Sequence, residues 1–139
     1  MSMVRKYADL RMMDVAIAVE IFGYYVVKVE ENRCSELWVE LEHSDGRERN
    51  TYPSSWRRKG PLAFFSYDIS SVYAMESCIP ENKRMQYGKE LVKIIIEEIE
   101  SPNVNDPIDY LVAHASPEQR CEAALRVMTN GLWHNDRLP

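Results

Sequence analysis

A short run of cations beside a tryptophan is the part of the chain whose residue types could bind a ligand most directly. Trp56, Arg57, Arg58 and Lys59 follow one another between two prolines, in a segment whose turn-forming residues predict a loop. Guanidinium groups form paired hydrogen bonds with phosphate oxygens, and an indole ring stacks on a nucleobase. The pattern therefore predicts a binding loop for a phosphorylated small molecule. The alternative is a solvated loop in which Trp56 only covers the edge of the core.

Ser66, Tyr67 and Asp68 form a second candidate for binding, directly before a predicted helix that begins near Ile69. Ser66 or Asp68 can cap the first helical turn with a side-chain oxygen, and a helix N-terminus also attracts anions. Asp68 itself would repel a phosphate, so its binding role would be to accept hydrogen bonds from a ribose or a base edge. A plain helix cap is the alternative interpretation of the same residues.

No spacing in the sequence supports a metal site or a nucleophilic enzyme. The short separations that place zinc ligands together are missing among the three histidines and the three cysteines. Cys121 falls on the apolar face of a predicted helix, and the chain has neither a Gly-x-Ser-x-Gly elbow nor a glycine-rich phosphate loop. We therefore expect no catalytic residue, no metal and no cofactor.

Length and composition predict one domain, residues 1–139, because a chain of this size with 45% apolar residues can bury a core of its own. The cysteines are odd in number and widely spaced, and no signal peptide opens the chain, which predicts a protein of the cytoplasm. No apolar run reaches the length of about 20 residues that a membrane helix needs, so we expect no such helix. The net charge of −5 argues against duplex nucleic acid, which favours a broad basic surface. The net charge does not exclude a small phosphorylated ligand, because two or three arginines suffice to bind it.

Hydrophobic periodicity predicts how the first half of the chain is organised. Apolar residues at intervals of three and four predict a helix from Asp9 to Phe22, with Gly23 as its stop. Alternating residues then predict strands at 24–29, 36–42 and 47–52. Asp45-Gly46 favours a tight turn between the last two of these strands, so the three form an antiparallel meander.

The second half is harder to interpret. Residues 91–99 are rich in β-branched side chains and could be a strand or the tail of a helix that begins after Pro80; we interpret them as a strand that pairs with residues 108–114. Ser116-Pro117 opens the last helix, with Gln119 completing a variant of the capping box. The prediction is an α+β fold in the order α-βββ-α-ββ-α, an antiparallel sheet of about five strands sandwiched with three helices.

Three segments resemble motifs of one family, in the same order along the chain. Residues 13–24 end in Phe-Gly-Tyr, where the family's first helix ends in Met-Gly-Trp. Residues 64–76 carry an aromatic pair followed by Ser-x-Asp-Ile, similar to the family's Tyr-Ser-Thr-Asp-Ile. Residues 114–125 are similar to the family's closing pattern, Ala-(Asp/Ser)-x-Pro-x-Ala-Ile-Cys-Arg-Ala-Ala-Leu. The chain thereby resembles the phage ABA sandwich domain family, small and mostly uncharacterised proteins of tailed phages and prophages. The resemblance implies a phage protein in the bacterial host cytoplasm, and it prompts the interpretation of 91–99 as a strand. It also makes Arg120 a candidate for ligand binding, although here Arg120 precedes Cys121 where the family has Cys before Arg.

Three functions are compatible with these features. The first is a non-enzymatic anti-defence sponge that sequesters a nucleotide-derived immune signal of the host, such as a cyclic ADP-ribose-like molecule or a cyclic oligonucleotide. The second is a phage accessory protein that binds and inhibits or scaffolds a host or phage protein through an exposed strand or an aromatic patch. The third, ranked last, is an enzyme that cleaves such a signal with His114 or Glu118 as general base. The ligand-binding residues of the first hypothesis would be Trp56, Arg57, Arg58, Ser66, Tyr67, Asp68 and Arg120. Open strand edges additionally predict a homo-oligomer.

Overall fold

The computed structural model describes residues 3–33, 36–56, 58, 60–98 and 107–133, and side chains from residue 10 onward. Helices and strands segregate along the chain, with the strands grouped in its first half. The elements are α1 (Met3–Glu20), β1 (Tyr24–Glu31), β2 (Leu37–His43), β3 (Arg49–Pro53), α2 (Ile69–Ser77), a single 3-10 turn (Glu81–Lys83), α3 (Arg84–Glu98), α4 (Ile108–Ala113) and α5 (Pro117–Met128).

The three strands form the antiparallel meander that the alternating pattern predicted, in the order β1-β2-β3. Gly46 adopts φ +76° in the β2–β3 turn, and the carboxylate of Asp45 accepts a hydrogen bond from the backbone N–H of Arg47 at 2.9 Å. A bulge at Val27 shifts the register of β1 against β2. One face of the sheet packs on α1, in a cluster of buried apolar residues: Met12, Val15, Ala18, Val39, Leu41, Tyr52 and Leu62.

The prediction of five strands and three helices was wrong in the second half of the chain. Residues 91–98 belong to helix α3, and residues 108–113 form helix α4; Ile99 lies outside the described residues. In α3, Leu91, Ile94 and Ile95 are buried at helical spacing and pack toward Ala123 of α5. Packing of this apolar stripe outweighs the modest strand preference of the isoleucines. The described residues thus form an α+β fold with three strands and five α-helices.

Helix α5 is the centre of the helical part. Its first turn carries the predicted capping box: the Ser116 hydroxyl accepts from the backbone N–H of Gln119 at 3.1 Å, and the Gln119 amide oxygen accepts from the N–H of Ser116 at 2.9 Å. One apolar face of α5 joins α1 and α2 in the main core, where Cys121, Leu125, Ile17 and Met75 are fully buried. A single helix therefore links the sheet-bearing half of the chain to α3 and α4.

A buried ion pair connects α1 to the loop before α2. The Nη1 atom of Arg11 donates to Oδ2 of Asp14 at 2.7 Å, and the two residues are only 2% and 0% exposed. Arg11 Nη2 also donates to the carbonyl of Leu62 at 2.7 Å, and the N–H of Ser66 donates to Oδ1 of Asp14 at 2.7 Å. The guanidinium lies 4.6 Å from the ring centre of Phe64. Loop residues 62–66 are therefore held by charge-assisted bonds to one turn of α1.

Two opposing effects act on the pKa of Asp14. Burial raises it to about 7, while the Arg11 charge and the hydrogen bond from Ser66 favour the ionised form. Burial is the larger effect, so the carboxyl takes up its proton near neutrality rather than near pH 4. The ion pair is thus incomplete at neutral pH and becomes complete only above it.

Asp14→Ala should destabilise the fold by about 3–5 kcal/mol, because it leaves the Arg11 guanidinium buried without its carboxylate and removes the acceptor of the Ser66 N–H. Chemical denaturation followed by circular dichroism measures the loss. Asp45→Ala, which removes an exposed carboxylate, is the control and should cost far less. Equal losses in the two variants would show that the buried pair does not hold the loop.

The stabilising contribution of Asp14 should also depend on pH. The folded-state pKa of about 7 lies above the ordinary aspartate value of 3.8, so the folded protein binds more protons than the unfolded chain between these two pH values. The stabilising contribution of Asp14 therefore falls as pH rises through this range. With Asp14→Asn as the non-titrating reference, the unfolding free energy of wild type minus variant should decrease from about pH 5 to about pH 8, by up to about 1.4 kcal/mol per unit. A difference that grows with pH would mean that Arg11 outweighs burial.

Candidate functional site

A cleft of about 560 Å³ opens where the segment after α1, the β2–β3 turn, the loop before α2 and the first turns of α2 meet. Its volume falls within the range of about 300–1,000 Å³ that is typical of small-molecule sites. The lining combines aromatic rings and small residues with side chains that carry oxygen: Phe22, Tyr24, Glu48, Gly60, Pro61, Ala63, Phe65, Ser70, Ser71 and Ala74. We call this the α2 cleft.

Two phenylalanines form the apolar wall of the α2 cleft. The rings of Phe22 and Phe65 stack with centroids 5.3 Å apart and an interplanar angle of 20°. Phe65 is buried in the main core, whereas Phe22 is half-buried, so the pair reaches from the core to the cleft. Gly23, at φ +79°, turns the chain between Phe22 and Tyr24. The sequence predicted this glycine as a helix stop and marked Phe-Gly-Tyr as a family-like motif, but it assigned neither aromatic residue to a binding site.

The polar side of the cleft is acidic. The Tyr24 hydroxyl donates to Oε2 of Glu48 at 2.7 Å, and its ring meets the His43 ring edge-on at 4.8 Å. Burial, followed by the hydrogen bond to Glu48, raises the pKa of Tyr24 to about 12. Tyr24 therefore stays protonated and orients the carboxylate, which leaves Glu48 as an acceptor for ligand N–H or O–H groups.

Asp68 is the cap of α2, as one of the two sequence interpretations held. Its Oδ1 accepts from the backbone N–H of Ser70 at 3.4 Å, and its Oδ2 accepts from the Ser71 hydroxyl at 2.7 Å. These bonds, that of Ser71 foremost, lower the pKa of Asp68 and keep it ionised. Ser70 and Ser71 line the cleft, so Asp68 acts on the cleft by orienting their hydroxyls.

Ser66 and Tyr67 differ sharply in exposure. Ser66 is only 3% exposed, because its N–H is bonded to Asp14 and its hydroxyl donates to the carbonyl of Leu10 at 3.2 Å. Tyr67 is 75% exposed, with its ring 5.3 Å from that of Phe64. Neither residue lines the α2 cleft. The packing gives Ser66 a structural role, and Tyr67 offers its ring to solvent.

The basic aromatic loop is described at Trp56 and Arg58. Trp56 is half-buried against the sheet cluster, with its ring edge-on to that of Tyr52 at 5.1 Å. Arg58 is exposed, has no ion pair among the described residues, and stands two positions before the cleft residue Gly60. Arg57 and Lys59, which the sequence analysis placed in the same binding loop, lie outside the described residues. Arg58 does not line the cleft, so its proximity to the cleft is a matter of sequence, two residues before Gly60.

Arg120 is buried, at 6% exposure, and is absent from the cleft lining. Its Nη1 donates to Oε2 of Glu76 at 3.0 Å, its Nη2 to the carbonyl of Val112 at 2.8 Å, and its Nε to the carbonyl of Ala115 at 3.2 Å. The Tyr87 hydroxyl donates to the same Glu76 oxygen, and burial followed by this bond raises the pKa of Tyr87. These bonds tie α2, α4 and α5 together. A ligand-binding role for Arg120 stays a prediction that would compete with them.

A second cleft, of about 490 Å³, lies between α3 and the segment after α5. Its arginine, Arg126, is already paired with three carboxylates, those of Glu90, Glu97 and Glu122, at 3.1–3.9 Å. These carboxylates would compete with a phosphate for the Arg126 guanidinium, which makes this cleft a less suitable host for a phosphorylated ligand.

Metal binding and membrane insertion find no support within the described part of the chain. Histidine, cysteine and carboxylate side chains do not gather there in any group of three or more that could hold a metal ion. The Cys121 thiol is buried, and burial raises its pKa well above the usual range, which suppresses the reactive thiolate. Nor do the described residues include a helix long and apolar enough to cross a membrane.

Comparison with known proteins identifies no relative. No protein-family model, no curated protein and no solved structure matches the chain. The functional argument therefore depends on the geometry of the described residues.

Arg120→Ala should cost about 3–5 kcal/mol of unfolding free energy, because Glu76 and two backbone carbonyls lose their buried donor. The control is Arg126→Ala on the same helix, whose half-exposed ion pairs should contribute only about 0–1 kcal/mol. Denaturant titrations of both variants measure the difference. An Arg120→Ala protein with wild-type stability would refute the structural role and favour the ligand-binding prediction.

Proposed function

We propose that this chain is a non-enzymatic binding protein for a nucleotide-derived small molecule, which it holds in the α2 cleft. The observation that carries the proposal is that one cleft combines an aromatic wall at Phe22 and Phe65 with an acceptor at Glu48. The exposed cation of Arg58 precedes the cleft residue Gly60 by two positions in the sequence, and we propose that it serves the same ligand. A nucleotide offers the matching groups, namely a base with a π face, hydroxyl or amino donors, and phosphates.

The groups of the cleft suggest how such a ligand would lie. A base would contact Phe22, with its amino group or a ribose hydroxyl donating to Glu48, and a phosphate would face Arg58. Phosphate would avoid the Glu48 side, where two negative charges would repel each other. A cyclic ADP-ribose-like molecule or a cyclic oligonucleotide carries both kinds of group in one compact molecule. Sequestering such an immune signal in the host cytoplasm is the role that we propose for this phage-like protein.

Binding without turnover agrees with the chemistry of the cleft. Ser70 and Ser71 both donate hydrogen bonds to Asp68, and no histidine lines the described cleft to act with them as a nucleophile–base pair. Tyr24 has a pKa of about 12, so it is a poor general base at neutral pH. These features favour a sponge over a hydrolase.

A protein-binding function is the second candidate, and one surface favours it. Tyr67, Ile69 and Tyr73 are 75%, 42% and 52% exposed at the start of α2. Exposed tyrosines are typical anchors in protein interfaces. A protein inhibitor or scaffold would use this aromatic patch and would be indifferent to changes inside the α2 cleft.

Ala74→Phe should abolish nucleotide binding, because a phenyl ring at this exposed cleft position fills the space that the ligand needs. The matched control is Ala113→Phe, the same change at an exposed position of α4 outside the cleft. Isothermal titration with cyclic ADP-ribose and with cyclic di-AMP measures the affinity. We expect wild type and control to bind at least one of these probes, and Ala74→Phe to bind at least about 100-fold more weakly.

Turnover is tested on the same samples. After heat denaturation, mass spectrometry should recover the bound probe intact, since the protein binds without cleaving it. A cleaved probe would favour the enzyme hypothesis. Wild type that binds neither probe, together with loss of a protein partner in a Tyr67→Ala, Tyr73→Ala variant, would favour the protein-binding function.

A further inference from the structure

Strand β1 is an edge of the sheet with an unusual amount of exposed apolar surface. Among the described residues it pairs only with β2, and seven of its eight residues are exposed. Tyr25, Val26, Val27 and Val29 are each 38–45% exposed. Such an edge presents backbone N–H and C=O groups that can pair with a further strand.

The opposite edge of the sheet is protected by its sequence, which makes β1 the open edge. Strand β3 has five residues against eight in β1, and it ends at Pro53, which has no N–H to donate. Its exposed positions Arg49, Asn50 and Thr51 are polar. Pairing of a further strand is therefore expected at β1.

The charges of β1 are complementary to a second, antiparallel copy of the same strand. After the bulge, Lys28 and Glu30 lie on the outer face opposite Glu40 and Trp38 of β2, and Val29 lies on the inner face opposite Val39. In an antiparallel pairing with its two-fold axis at Val29, Lys28 lies opposite Glu30 of the second copy. By symmetry, Glu30 lies opposite Lys28 of the second copy. Lys28 and Glu30 already attract each other within one strand, at 2.5 Å.

Neighbouring registers lack this complementarity. A two-fold axis at Lys28 would set two lysines opposite each other, and an axis at Glu30 would set two glutamates opposite each other. Like charges directly opposite across a strand pair are destabilising, whereas opposite charges stabilise it by about 0.2–1 kcal/mol each. The charge pattern therefore selects the register centred on Val29.

We propose that β1 is a self-pairing edge, through which two copies of this chain join their sheets in antiparallel fashion about a two-fold axis at Val29. The partner strand is β1 of a second copy, because Lys28 and Glu30 meet residues of opposite charge when two identical strands pair in antiparallel fashion about Val29. The pairing also covers the exposed valines of β1 at the interface between the two copies. The α2 cleft shares with β1 only Tyr24, the first residue of the strand, which is five residues from the proposed axis at Val29.

A charge-swap series tests the proposal. Light scattering coupled to size exclusion, over a range of protein concentrations, measures the dimer dissociation constant of wild type, Lys28→Glu, Glu30→Lys and the double variant. Each single change replaces two attractive pairs by two repulsive ones, so the dissociation constant should rise about tenfold or more. The double variant should return to the wild-type value. Lys89→Glu, at an exposed position of α3, makes the same charge change away from the edge and should have no effect.

A cross-link tests the register itself. In a background with Cys34 and Cys78 replaced by serine, Val29→Cys should form a disulfide-linked dimer on mild oxidation, because the axis brings the two side chains together. Val26→Cys should not. A wild-type protein that is monomeric at every concentration, single variants that dimerise like wild type, or a double variant that stays monomeric would overturn the proposal. So would equal cross-linking at Val26 and Val29.

Discussion

The Arg11–Asp14 pair is the interaction on which the rest of the architecture depends. It lies at near-zero exposure between α1 and the loop before α2, and each charged group bonds both to the other and to the loop backbone at Leu62 or Ser66. A buried pair of this kind adds little net stability over apolar packing, but it is costly to break, so it specifies one arrangement of the chain. Here it specifies where the loop passes over α1, and thereby where α2 begins.

The α2 cleft is a consequence of that arrangement. Phe65 is directly before Ser66, and Asp68, the cap of α2, follows it by two residues. Fixing Ser66 therefore fixes both the aromatic wall and the serines of the first helical turn. A cleft that is built by the fold itself loses little conformational entropy when a ligand enters, which would favour tight binding of the ligand that we propose.

Local signals in the sequence were sufficient wherever one residue type determines the local structure. The turn at Asp45-Gly46 and the capping box at Ser116 were predicted, and Asp68 was one of two candidates for the cap of α2, because each of these features depends on contacts within a few residues. The isoleucines of α3 misled the prediction, since their burial against α5 is a long-range effect. The cleft was missed for the same reason: Phe22, Glu48 and Ala74 are distant in the sequence. Asp14 did carry a signal, as a carboxylate within the apolar stripe of α1, which indicates a buried partner.

Native-state hydrogen exchange of the Ser66 amide tests most directly whether the ion pair holds the loop. The amide donates to the buried carboxylate of Asp14, so the account predicts that it exchanges only on global unfolding, as slowly as the amide of Leu125 in the core of α5. Its opening free energy should then fall with denaturant in parallel with that of Leu125. A Ser66 amide that exchanges through a small, denaturant-independent opening would contradict the account, because the loop would then move freely over α1.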